Sequence, residues 1–119
     1  VNIAYAISLK PVVLILDRVL DKINNKKQIL DYIKQKKITL INITNDIEQS
    51  LDSDKIIILN NGKIISNSKP STILKNEKLL KENNIELPFM VDLSNKLKFY
   101  GLLENNILDI NEMVETLWK

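Results

Sequence analysis

Residues 12–17 read VVLILD and residues 38–44 read ITLINIT. Both are β-branched, apolar runs of strand length. The first shows no polar alternation, which is the pattern of a strand covered on both faces, as in parallel sheets. Between them, NNKKQILDYIKQKK (24–37) places Ile29, Leu30 and Ile33 on one helical face and lysines on the others. Strand, helix, strand in that order predicts two parallel neighbours joined by a crossover helix.

Working outward, VNIAYAISLK (1–10) reads as a helix ended by Pro11, since the residue before a proline avoids the α region. NDIEQSLD (45–52) reads as a short helix and KIIILN (55–60) as a third strand. NNG at 60–62 is a tight hairpin signal, with Gly62 free to take positive φ and KIISNS (63–68) returning as the antiparallel arm. From residue 70 the pattern turns helical: PSTILKNEKLLKENN, then ELP, FMVDLSNKLKFYG and DINEMVETLWK. The expected fold class is α/β, with sheet and crossover helices over 1–69 followed by a small helical extension over 70–119. Three buried-looking strands are few for such a sheet, so a piece of a larger α/β domain is expected.

Composition narrows the chemistry. The 119 residues contain no cysteine and no histidine. Disulfides, thiolate nucleophiles, Ser-His triads and nearly every zinc site are thereby excluded. A carboxylate-bound Mg²⁺ stays open. Seventeen basic residues against fifteen acidic ones leave a net charge of +2, and Arg18 is the only arginine. That balance argues against a nucleic-acid partner. The apolar run PVVLIL is too short to span a bilayer.

Asp17 ends the first strand, and open α/β sheets bind ligands outside the carboxyl ends of their strands. A carboxylate there can hold Mg²⁺ through water beside phosphates, or it can simply form a turn or cap a helix. Glu48, Asp52 and Asp54 read as surface solvation rather than a second metal site. The lysines at 22, 26 and 27 and at 34, 36 and 37 read as solvated helix faces. Met113, Val114, Leu117 and Trp118 form an apolar stripe, suited to packing the tail or to a dimer contact.

The ordered set of segments resembles the ABC transporter ATPases. VNIAYAISLKPVVLILD (1–17) is similar to the stretch that follows their LSGGQ signature, running through a Lys-Pro pair into the Walker B strand. ITLINITNDIEQSLDSDKIIILNNGKIISNSKPSTIL (38–74) is similar to their switch strand, helix, strand and hairpin. LPFMVDLSNKLKFYGLLENNILDINEMVETL (87–117) resembles the C-terminal extension of the energy-coupling-factor (ECF) importers. The resemblance covers essentially the whole chain and implies the C-terminal half of a P-loop NTPase domain. No G-x-x-x-x-G-K-[ST] motif occurs, so the phosphate cradle would lie upstream of Val1.

The resemblance implies an ATP-binding subunit of an importer, using ATP and Mg²⁺. It implies pairing with a second ATPase subunit as a homo- or heterodimer, and with a transmembrane coupling subunit at the cytoplasmic face of the membrane. Asp17 would be the Mg²⁺-associated aspartate, and Asp21 the aspartate of the loop that crosses to the partner subunit. Three departures stand against full catalysis. Arg18 occupies the position of the glutamate that polarises water, and a cation cannot serve as that base. Asn45 occupies the position of the switch histidine; asparagine can bond a γ-phosphate but cannot carry the imidazole's proton. Asp17 and Asp21 stand four apart, closer than the family's pattern, so the loop is shortened or Asp21 is not its aspartate. Hydrolysis is therefore expected to be poor, and whether the chain is an enzyme stays open. Asn45 could equally cap the helix that follows it. The alternative function is a non-catalytic remnant serving as a dimerisation or regulatory module through its helical tail. A receiver-like domain with Asp17 as phosphoacceptor lacks the further acidic residues it would need.

Overall fold

In a computed structural model describing residues 2–118, the chain divides into two compact units, Val1–Ser50 and Leu51–Lys119. In the first, α1 (Asn2–Ser8) leads through Pro11 into β1 (Val13–Asp17), and α2 (Lys26–Gln35) carries the chain back to β2 (Thr39–Ile43). The two strands are parallel, with Val13 opposite Thr39 and Asp17 opposite Ile43, as the crossover pattern predicts. A 3-10 turn, Leu20–Lys22, fills the connection after β1. Ile3, Leu14, Leu16, Leu20 and Ile33 form the buried centre of this unit, with Ile29, Leu30 and Leu40 packed against it. Burying each such side chain stabilises the fold by about 1.5–3 kcal/mol.

Only one face of the parallel pair is covered. Leu14 and Leu16 are buried, whereas Val13, Ile15, Ile41 and Ile43 are roughly half exposed. The expectation of cover on both faces came from an apolar run in which every position is β-branched or leucine. Within this unit, helices pack on one side only. A parallel pair bare on one face is an unusual arrangement, because parallel sheets are normally sandwiched between layers.

The second unit opens with the hairpin β3 (Ile56–Asn60) and β4 (Lys63–Ser68). Its two-residue turn places Asn61 at φ 49° and Gly62 at φ 73°, the left-handed pair that an Asn-Gly hairpin demands. Among the described residues β3 pairs with β4 alone, with an irregularity between Ile58 and Leu59. The following segment is two helices, α3 (Pro70–Leu74) and α4 (Glu77–Glu82), because Asn76 interrupts it and caps α4 by accepting the Leu79 N–H at 3.1 Å. The last two helices are α5 (Phe89–Phe99) and α6 (Ile110–Leu117). Asp109 caps α6 by accepting the N–H groups of Asn111 and Glu112. Leu103, Ile107 and Met113 are buried there, against Met90, Leu93 and Leu97.

Four helix ends close with a left-handed residue: Lys10 after α1, Lys37 after α2, Asn84 after α4 and Gly101 after α5. Around Lys37 the Ile38 N–H returns to the Ile33 carbonyl at 3.1 Å, the bond pattern of a Schellman cap. A residue with a Cβ is strained there. Lys37→Gly is expected to raise stability by about 0.5–1 kcal/mol in urea unfolding, and Lys37→Val to lower it.

Candidate functional site

The carboxyl ends of β1 and β2 lie side by side. The Arg18 N–H donates to the Ile43 carbonyl at 2.9 Å, extending the parallel ladder one step past Asp17. This brings Asp17 and Arg18 next to the turn that carries Thr44, Asn45 and Asp46. Arg18 takes φ 52°, a left-handed conformation that costs a non-glycine residue about 1–2 kcal/mol. The chain therefore turns sharply at Arg18, and Leu20, only 3% exposed, anchors the other side of that turn in the core. Asp17, Arg18 and Asn45 are exposed.

Asp21 also reaches this turn. The Thr44 hydroxyl donates to Asp21 Oδ1 at 3.1 Å and accepts the Asp46 N–H at 3.0 Å. Asp46 in turn accepts the Glu48 N–H at Oδ1, 2.9 Å, which caps the 3-10 turn Ile47–Ser50. The capping role that the sequence offered to Asn45 is thus filled by its neighbour. Thr44 was not singled out from sequence. Its position after an apolar strand is common, and its partner lies 23 residues away.

Mg²⁺ fits this set in a limited way. Among the described residues no hydrogen bond or ion pair engages the Asp17 carboxylate, so it can accept a hydrated cation. Among the described residues no group of three or more His, Cys, Asp or Glu could enclose a metal. A single carboxylate suits an ion that keeps its waters and takes its remaining ligands from phosphate. Beside Asp17, Arg18 and Lys22, an open cleft of about 810 Å³ runs between α1 and α2. Its lining is mainly apolar, with Ile3, Ile7 and Ile29 among the residues, and neither glycine of the chain lies in it. It offers no nest of backbone N–H groups for a triphosphate.

This geometry defines the class: an open α/β unit with the carboxyl ends of two parallel strands side by side. No family model matches the chain. The chain is similar to the energy-coupling factor transporter ATP-binding protein EcfA1 of Lactobacillus delbrueckii subsp. bulgaricus, 32% identical over 126 residues, covering 100% of this chain and 45% of the relative. The EcfA1 protein of Lactobacillus acidophilus is 38% identical over 109 residues, 86% of this chain and 38% of the relative. That of Mesomycoplasma hyopneumoniae is 32% identical over 125 residues, 100% and 44% of the two chains. The chain belongs to the energy-coupling factor transporter ATP-binding proteins, matching them in a way consistent with their C-terminal half. It spans about half the length of the curated relatives it matches.

Proposed function

We propose that this chain contributes the Walker B strand, the switch segment and the helical extension of an ECF-type importer ATPase. Its nucleotide site would be completed by polypeptide equivalent to the part of the relatives it does not span. The observation that carries the reading is the adjacency of Asp17 and Arg18 to the Thr44–Asp46 turn, fixed by the bond from the Arg18 N–H to the Ile43 carbonyl. The bare apolar face of β1 and β2 supports it, since a further layer there would give the parallel pair its usual cover.

In this reading Asp17 holds Mg²⁺ through water, Asn45 meets the γ-phosphate, and Arg18 stands where the base would be. Bound Mg²⁺ would neutralise phosphate charge. Hydrolysis by two copies of this chain's site is slow, because neither Arg18 nor Asn45 can take the proton of the attacking water. Residues 1–69 form the ATPase part and 70–119 the extension. The partners are a second ATPase subunit, alike or different, and a transmembrane coupling subunit that takes up a vitamin, metal or similar micronutrient. The protein then sits at the cytoplasmic face through that partner. No helix among the described residues is long and apolar enough to cross a membrane.

Binding of a fluorescent ATP analogue to the native polypeptide tests this. Mg²⁺-dependent binding is expected, weakened about 10- to 100-fold by Asp17→Asn, the usual cost of disturbing a metal's supporting carboxylate. Absence of nucleotide binding overturns the reading. The second reading, a non-catalytic dimerisation module, is favoured by one feature: Ile110, Val114 and Leu117 of α6 form an exposed stripe with Trp118, the residue after it. Nucleotide-independent association abolished by Trp118→Asp would support it.

A further inference from the structure

The hydrogen bonds around Thr44 continue into a closed ring. Asp21 Oδ1 accepts from the Thr44 hydroxyl, which itself accepts the Asp46 N–H. Asp46 Oδ2 accepts from Gln49 Nε2 at 3.3 Å, and Gln49 Oε1 accepts from Lys26 Nζ at 2.6 Å. Lys26 opens α2 and stands five residues after Asp21, so the chain itself closes the circuit. Two sequence-distant segments, 21–26 and 44–49, are thereby braced by side chains as well as by the β1–β2 ladder.

We propose that Asp21 is a positioning residue acting within its own chain: through Thr44 it fixes the turn that presents Asn45. The Thr44 hydroxyl has a single proton. Asp21 is its better acceptor, being charged and at 3.1 Å, whereas the Asp46 carbonyl lies at 3.5 Å. With that proton committed to Asp21, a lone pair of the same oxygen is left facing the Asp46 N–H. The side-chain rotamer of Thr44, and with it the backbone around Asn45, is held from outside the turn. The short spacing from Asp17 to Asp21 suits this role. A 3-10 turn anchored by buried Leu20 delivers Asp21 to the neighbouring strand end, so its carboxylate is engaged in its own chain rather than offered to a partner subunit. The value of this positioning for nucleotide rests on the function proposed above; the tether itself does not.

Amide hydrogen exchange on the native polypeptide, read without nucleotide, tests the tether. Asp21→Ala and Thr44→Val are each expected to speed exchange at the Asp46 amide about five-fold, the size of one net hydrogen bond. Amides of α2 and β3 should keep their rates, which separates loss of the tether from general unfolding. The double variant should exchange no faster than Thr44→Val alone, because both changes break one path. Thr44→Ser keeps the hydroxyl and should restore the slow rate. Unchanged exchange at Asp46 in Asp21→Ala, multiplied effects in the double variant, or a serine that behaves as valine would each overturn the proposal. A protein that binds no ATP leaves these rates meaningful, so the two readings fail separately.

Discussion

Replacing Ser94 with alanine is expected to destabilise the second unit by about 2–4 kcal/mol, lowering its thermal midpoint by about eight degrees or more at about 4–8 °C per kcal/mol. Ser94 is fully buried in α5 and makes both bonds of one backbone residue: its hydroxyl donates to the Ile107 carbonyl at 2.7 Å and accepts the Ile107 N–H at 3.1 Å. Ile107 is itself buried, in the segment between Gly101 and α6 that has no ladder of its own. Alanine removes one hydroxyl and leaves two buried backbone groups without partners, each worth about 1–3 kcal/mol when orphaned. Ser94→Cys, with a weak donor of similar shape, should fall between. Urea unfolding with exchange at the Ile107 amide checks both. A loss under 1 kcal/mol for alanine would mean that water replaces the hydroxyl and that the clamp is dispensable.

Ser94 also shows where sequence reading stops. FMVDLSNKLKFYG announces a helix through its apolar spacing and closing glycine, and α5 ends with Gly101 at φ 73°. Nothing local marks the serine as buried, because its partner lies 13 residues away across a loop. The same holds for Leu20, which follows Arg18 and Val19 in what reads as a loop yet anchors the core of the first unit. Features set by neighbours in the chain were legible: the crossover from β1 through α2 to β2, the Asn-Gly hairpin, and the start of α6. The break at Asn76 was not read: the periodicity of PSTILKNEKLLKENN runs on as one helix, and the cap that divides it shows only in the bond from the Leu79 N–H. The reading of two covered faces took the composition of VVLILD at its word. Such a composition reflects the surroundings a strand folds in, and one of those faces is bare here. At the site, strand-end residues were found by type and place, whereas the Asp21–Thr44 link needed three dimensions.

Arg18→Glu is expected to raise ATP turnover by the native protein about 100-fold, with the gain visible in steady-state phosphate release. A positioned base contributes about 10²–10⁴-fold, and the lower end applies because the glutamate starts from a left-handed backbone at residue 18. The backbone at residue 18 is held by its N–H bond to the Ile43 carbonyl, a contact that any side chain but proline preserves, so glutamate inherits the same starting point. It also inherits the left-handed strain at φ 52°, about equal for arginine and glutamate, and folding stability should hardly change. Arg18→Ala separates two roles. An arginine that merely fills the base position gives an alanine variant as slow as the parent with unchanged nucleotide affinity. An arginine that neutralises phosphate gives one that binds nucleotide at least about ten-fold more weakly, the 1.4 kcal/mol of one charge-assisted contact. Adding Asn45→His to Arg18→Glu should raise the rate again, since imidazole can carry the proton that an amide cannot. Turnover that stays at the parent level in the double variant would place the defect elsewhere, in the short connection between Asp17 and Asp21, where restoring length rather than charge would be the remedy.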